Sequence, residues 1–383
     1  MNYLYYQTAA IFLLLVLVIG YFRFDYYSYK KTLHKIPLRI HVNGTRGKSS
    51  VTRLIAGGLR AHGLTVCAKT TGSAAKFIEP SGREHDIKRI APANIKEITG
   101  FVHKAVKRYQ ANAIVVECMA VTPEYQRVLE EKFLQAHILA LTNIRQDHED
   151  IMGKGIHSVA RALAESLPLA GKLLTNRASS ILLEQIGRLP SDAIITDSIE
   201  ISEQELAYFP YEVIKENVQL ALAVCIHVGV PRDIALQGMF SSTPDIGNLT
   251  ITYWQMPDRY LQLINALAAN DPDSTLFLWD KYVHPHEQVL LLLHCRADRK
   301  ERTQQLLERF VQVHSGIFFL SGDTDFARHT LQLLGVAAER IIGMSNPCKQ
   351  DILNLDIVKN GNINVVFAAG NLKGCSIFQP EVS

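Results

Sequence analysis

His41-Val-Asn-Gly-Thr-Arg-Gly-Lys-Ser-Ser50 decides the reading of this chain, because apolar residues lead into it and a helical pattern leaves it. A loop that joins a strand to a helix in this way points successive backbone N–H groups and a helix N-terminus at one anion. Gly44 and Gly47 let the backbone curl, Lys48 supplies a point charge and Ser49 a hydroxyl for Mg²⁺, with Asn43, Thr45, Arg46 and Ser50 completing the cradle. The expected ligand is the triphosphate of a nucleotide. Val42 stands where the general pattern G-x-x-x-x-G-K-S/T has its first glycine. Taken alone, the stretch also fits an ordinary strand-to-helix turn.

Outward from this loop, short β-type runs alternate with helical patterns: a strand over Arg39 to Val42, a helix over Ser49 to His62, then Thr65 to Thr70, a helix over Asn94 to Tyr109, Ala113 to Glu117 and Ala136 to Leu141. Such alternation predicts an α/β fold with a mostly parallel sheet. Ligands of such sheets bind at the carboxyl ends of the strands. The loop after Val42, Glu117 at the end of Ala-Ile-Val-Val-Glu, and Thr142-Asn143 all fall there. Helices over Tyr211 to Val228 and Arg232 to Phe240 close this body, and Ser241 to Gly247 reads as a linker. A smaller α/β unit follows, with apolar runs at Leu261 to Leu267, Val289 to Cys295, Gly316 to Leu320 and Asn364 to Ala369, and a helix over Arg299 to Val313. The expected division is residues 1–27, 28–247 and 248–383.

Residues 1–27 are a candidate membrane helix. Ala9 to Tyr21 is an unbroken apolar run flanked by Tyr3, Tyr5 and Tyr6 on one side and Tyr21, Phe22, Phe24, Tyr26 and Tyr27 on the other. That approaches the ~20 residues a span requires, with aromatic belts at both interfaces. Arg23, Lys30, Lys31, Lys35 and Arg39 follow it, which places the catalytic body in the cytoplasm on the inner membrane, in a single-pass arrangement. A buried amino-terminal core helix is the alternative. The 383 residues are 48% apolar and carry a net charge of +3, so a large core is available and no nucleic-acid partner is implied. Six widely spaced cysteines without a Cys-x-x-Cys pair read as reduced packing residues.

Leu141-Thr-Asn-Ile-Arg-Gln-Asp-His-Glu-Asp-Ile-Met-Gly153 is the second strong signal. It sets His148 among Asp147, Glu149 and Asp150 just past a strand end, although an isolated cluster of this kind also fits a solvated acidic turn. The loop, the strand-end Glu117 and this segment, in that order, resemble the Mur ligase superfamily of ATP-dependent amide ligases. The resemblance implies ATP and Mg²⁺ as cofactors, Lys48 and Ser49 on the phosphates and metal, Asn143 beside the nucleotide, and Ser49, Glu117 and His148 as metal ligands. For Glu117 the alternative is a surface carboxylate at a strand end.

The likeness is closer still to the ligase subunits of bacterial poly-γ-glutamate synthases, the PgsB/CapB type. These combine a membrane helix, a Val-Asn-Gly-Thr-Arg-Gly-Lys-Ser loop, the Asp-His segment followed by Met-Gly, and two further segments. Here the latter are Ala269-Asn-Asp-Pro-Asp-Ser274 and Cys295-Arg-Ala-Asp-Arg299, which make Asn270, Asp271, Arg296, Asp298 and Arg299 candidates for ribose, phosphate or carboxylate contacts. A helix-capping Asp298 with solvated arginines is the alternative. The carbamylated lysine of the wider superfamily has no counterpart, since Leu163 lies near its place, and Pro244-Asp-Ile-Gly-Asn248 stands where Pro-Gly-Arg-x-Glu often ends the central domain.

By resemblance, the chain elongates poly-γ-glutamate for a capsule or secreted polymer. The terminal γ-carboxylate becomes an acyl phosphate, and the amine of incoming glutamate attacks it. Implied partners are glutamate, the growing chain, a multi-spanning membrane subunit, an extracellular-facing subunit and a second copy of the chain. The competing function is a membrane-anchored P-loop ATPase that couples hydrolysis to transport or assembly, which has no need of the Asp147-His148 segment.

Overall fold

The computed structural model describes the chain apart from residues 1, 72–74, 88, 90–93, 245–248, 268, 270–271, 372–374, 376 and 378–383. It divides into two compact units, Met1–Thr243 and Pro244–Ser383.

The first unit is built on an eight-stranded sheet. Its strands are β1 (Leu38–Asn43), β2 (Val66–Thr70), β3 (Lys76–Ile78), β4 (Glu84–Asp86), β5 (Ala113–Glu117), β6 (Ile138–Leu141), β7 (Lys172–Thr175) and β8 (Ile194–Ile195), in the order β4-β3-β2-β5-β1-β6-β7-β8. Only the β2–β3 and β3–β4 pairs are antiparallel. Helices cover both faces, so the central strands are buried on both sides, and Ala113–Val116 of β5 and Ile138–Leu141 of β6 read as continuous apolar runs. Ile40, Val42, Val66, Ala68, Ala113 and Val115 face one core, under the helices Lys48–Ala61, Lys215–His227 and Arg232–Phe240. Cys67, Ile114 and Val116 face the other.

Four helices recur below: α1 (Asn2–Leu33), α2 (Lys48–Ala61), α3 (Glu97–Tyr109) and α4 (Pro123–Val128), which runs on as a π-helix over Leu129–Leu134. The stretch Ile11–Leu33 of α1 is long and apolar enough to cross a membrane by length and composition. Ile11, Phe12 and Phe24 are 67%, 68% and 74% exposed, whereas Tyr29, Leu33 and Ile36 are buried against Phe101, Val102 and Ala105 of α3. The helix therefore passes unbroken from an apolar shaft into the core of the unit. The tie is also polar, because the Tyr29 hydroxyl donates to the Phe133 carbonyl at 2.5 Å.

The helix expected from Tyr211 begins instead at Lys215. Pro210 biases Phe209 toward extended backbone. The Phe209 ring packs edge-on to Tyr211 and Phe240, which spends the segment on core contacts.

The second unit holds a six-stranded sheet of β9 (Thr250–Gln255), β10 (Tyr260–Asn265), β11 (Val289–Cys295), β12 (Ile317–Gly322), β13 (Ile341–Met344) and β14 (Val365–Gly370), in the order β13-β12-β11-β14-β10-β9. Only the β9–β10 pair is antiparallel. Its core packs Leu291, Leu293, Phe318 and Phe367 against Leu306, Leu307 and Phe310 of the helix Lys300–Val313.

Candidate active site

β1 ends beside two other strands, with Val42 in register with Glu117 of β5 and Asn43 with Leu141 of β6. This register brings the three stretches marked in the sequence to one sheet edge. The chain then turns through Gly44 to Gly47 into α2. Gly44 has φ +129°, and a Cβ there would lie 2.2 Å from Thr142 Oγ1. Gly47 has φ +82°, and its Cβ would lie 2.6 Å from Asn217 Oδ1. Both positions therefore exclude a side chain, by conformation and by space.

The loop is clamped from the β6 side. Thr45 N donates to Asn143 O at 3.0 Å, Arg46 N to Asn143 Oδ1 at 3.0 Å, and Asn143 Nδ2 to Arg46 O at 3.0 Å. Thr142 Oγ1 donates to the same Arg46 carbonyl at 2.6 Å. Asn143, expected beside the nucleotide, thus spends its amide on shaping the loop. The amides of the first turn of α2, at Lys48, Ser49 and Ser50, have no helical carbonyl to bond and carry the positive end of the helix dipole.

Lys48 Nζ donates to its own loop, to Gly44 O at 2.6 Å and Thr45 O at 3.2 Å. Buried Ser49 donates through Oγ to Glu117 Oε2 at 2.8 Å, and Thr71 N donates to the same oxygen at 2.7 Å. Glu117 is 2% exposed, so it is a buried strand-end carboxylate with two donors and not a solvated surface group. A hydroxyl and a carboxylate at this separation beside a phosphate loop are hard oxygen donors suited to Mg²⁺, which keeps its remaining positions for phosphate oxygens and water. The residues fit the metal. Among the described residues no group of three or more His, Cys, Asp or Glu gathers to hold an ion.

His148 lies on an exposed turn. Its backbone has φ +48°, its side chain is 49% exposed, and its Nε2 lies 3.9 Å from Asp147 Oδ1. Asp147 also meets Arg46, Nη2 to Oδ2, at 3.6 Å. The structure therefore brings Lys48, Ser49 and Glu117 together and sets His148 on an exposed turn, tied to the loop through Asp147 and Arg46.

Beneath the loop, alternate residues of β1 are polar. Asn43 Nδ2 donates to Gln126 Oε1 at 2.8 Å and Ser166 Oγ at 2.9 Å, and Asn43 Oδ1 accepts from Gly44 N at 2.8 Å. Fully buried His41 meets Glu130, Nδ1 to Oε2, at 2.9 Å. Burial opposes charge on the His41 ring, but the neighbouring Cys118 and Glu130 outweigh it and raise its pKa to about 10. Thr142 was marked with Asn143 by its place at a strand end, whereas Gln126, Glu130, Ser166 and Asn217 were not singled out by sequence reasoning, since they reach the loop only through tertiary packing.

In the second unit, Arg296 forms a two-pronged ion pair with Asp298, Nε to Oδ1 at 2.9 Å and Nη2 to Oδ2 at 2.6 Å. Asp298 therefore serves an arginine and makes no side-chain cap for the following helix. Arg299 is exposed at the start of that helix. Asn270 and Asp271 lie outside the described residues.

The fold and loop define a Mur-ligase-type nucleotide unit, and residues 42–240 match the Mur ligase middle domain family. Solved structures agree on the fold. E. coli FolC in complex with ADP superposes with a TM-score of 0.66 at 14% identity, covering 90% of this chain and 89% of that one. A bifunctional folylpolyglutamate synthase/dihydrofolate synthase with Mn, AMPPNP and L-glutamate bound gives 0.60 at 14% identity, over 91% and 90%. Residues 251–377 match the poly-gamma-glutamate synthase CapB C-terminal domain, and the PGA synthase CapB of Bacillus subtilis (strain 168) is 32% identical over 370 residues, 94% of this chain and 93% of that protein. The chain belongs to the poly-gamma-glutamate synthase CapB family.

Proposed function

We propose that the chain is an ATP-dependent amide ligase that elongates poly-γ-glutamate, using Mg²⁺ and the residues of its phosphate loop. The observation that carries this is the Ser49–Glu117 contact at 2.8 Å beside a glycine loop whose lysine is held over its own carbonyls. That arrangement joins a metal position to a triphosphate position at one sheet edge. Kinship with a PGA synthase across nearly the whole chain supplies the substrate.

Lys48 exchanges its loop carbonyls for phosphate oxygens, and the first-turn amides of α2 hold the remaining charge. Ser49 and Glu117, with His148 on the Asp147 turn, would hold Mg²⁺, which would supply positive charge beside the transferring phosphoryl group. This transfer calls on the protein for positioning and electrostatics more than for covalent chemistry. The γ-carboxylate of the growing chain attacks the γ-phosphorus of ATP and releases ADP. The amine of glutamate then attacks the acyl phosphate, loses a proton and expels phosphate, leaving the amide. Arg296 and Arg299 are carboxylate-binding candidates in the second unit, and residues 1–27 anchor the body at the cytoplasmic face in company with other membrane subunits.

Membranes carrying the full chain test this with ATP, Mg²⁺ and glutamate. ADP release should require glutamate. Release at the same rate without glutamate would instead identify an ATPase that couples hydrolysis to transport or assembly.

A further inference from the structure

Central strands of a sheet covered on both faces normally carry apolar residues on both sides. β1 keeps this rule on one face with Ile40 and Val42 and breaks it on the other, where Arg39, His41 and Asn43 are all buried. Each finds its partner along one helix. Arg39 donates from Nε to the Leu134 carbonyl at 3.0 Å, His41 meets Glu130, and Asn43 meets Gln126. Partners at 126, 130 and 134 lie on one helical face, and the π-helix over Leu129–Leu134 falls within that run. π-helical turns are frequent at functional sites.

The loop end of this zipper is the Asn43 amide, and both of its donors and its oxygen are engaged. Its two amide hydrogens go to Gln126 Oε1 and Ser166 Oγ, and its oxygen accepts from Gly44 N. Gln126 is itself fully buried and oriented, because its Nε2 donates to the Val121 carbonyl at 3.0 Å. Ser166 is fixed in turn by donating to the Leu163 carbonyl at 2.7 Å. Neither the Gln126 amide nor the Asn43 amide can flip without setting like groups against each other. Gly44, the residue so held, supplies the carbonyl on which Lys48 rests.

We infer that Gln126 is a positioning residue for the nucleotide: it aims the Asn43 amide, which fixes the Gly44 peptide and with it the path of the phosphate loop. This rests on the loop being the ATP site. It adds that the loop geometry is set from beneath, by a helix outside the motif.

The full chain in membranes tests it by steady-state kinetics with ATP varied, alongside thermal unfolding. Gln126→Met keeps the volume of the side chain and loses the acceptor. It should raise KM for ATP by about five- to tenfold, the scale of one lost hydrogen bond, with kcat changed less than twofold. In an Asn43→Ala background the same substitution should have no further effect on KM, because its route to the loop is gone. Equal effects of Gln126→Met with and without Asn43 would overturn the inference, as would a lowered Tm with KM for ATP unchanged. Where Gln126→Met does not fold, Ser166→Ala removes the second acceptor of the same amide and should raise KM for ATP in the same direction; an unchanged KM would overturn the inference. Wild-type chain whose ATP use does not depend on Lys48 would overturn the loop assignment itself, an outcome read before any Gln126 variant is examined.

Discussion

Lys48 rests on two carbonyls of its own loop, a geometry that holds a cation in place without neutralising it. Lys48→Ala should lower kcat/KM for ATP by roughly 10²–10³, the scale of one lost electrostatic donor, with Tm nearly unchanged because the side chain supports no core. Full turnover in Lys48→Ala would show that the loop does not hold phosphate. Gly44 is constrained more tightly than its neighbours. Gly44→Ala combines a φ of +129° with a Cβ 2.2 Å from Thr142 Oγ1, so it should cost about 1–3 kcal/mol in urea unfolding and raise KM for ATP. An unaltered midpoint would mean that the turn relaxes freely. Lys48, Ser49 and Glu117 were legible in the sequence because backbone periodicity alone carries them to the end of a strand or the start of a helix. Gln126 and Asn217 were not, since each reaches the loop from a helix whose placement depends on packing between distant segments. His148 was conspicuous by its motif, but its place on an exposed turn, with Asp147 linking it to Arg46, was not legible, because that turn is set by tertiary contacts.

Among the elements, β1 and the helix at 123–134 form the unusual pair, because an ionisable couple is enclosed between them. His41 is raised to about 10 in the folded chain against an ordinary value of 6.5. A group raised on folding adds stability that is complete below pH 6.5 and is lost as the pH climbs through about 10. Urea midpoints should therefore fall from pH 6.5 to 10, and fall less in the double variant His41→Leu/Glu130→Leu, where apolar packing replaces the pair. Equal slopes for the two proteins would remove His41 from the account. β1, α2, β5 and β6 were readable because short runs ended by turn residues and the longer helical run that leaves the loop are told apart by length and by flanking residues. The π-helix was not readable, since one inserted residue changes no pattern of apolar spacing. The hairpin of β3 and β4 also escaped, because strands of three residues are too short to show alternation.

At the scale of the whole molecule, α1 is both shaft and core element. Deleting residues 2–24 removes a stretch whose described side chains are exposed and should leave thermal unfolding of the body nearly unchanged. Deleting residues 2–36 also removes Tyr29, Leu33 and Ile36, at about 1.5–3 kcal/mol for each aliphatic side chain, and should lower Tm by many degrees. Similar Tm values for the two truncations would mean that the foot of α1 does not belong to the fold. The α/β class was legible from alternation. The depth to which α1 enters the core was not, since an apolar run does not announce where an exposed stretch gives way to a buried one. All of these features serve one chemical event, the joining of a carboxylate to an amine at the expense of ATP. Labelled glutamate, supplied with ATP and Mg²⁺ to membranes bearing the full chain, tests that event directly: label should appear in a γ-linked polymer in step with ADP, and vanish in Lys48→Ala. ADP formed without any γ-linked label would contradict it.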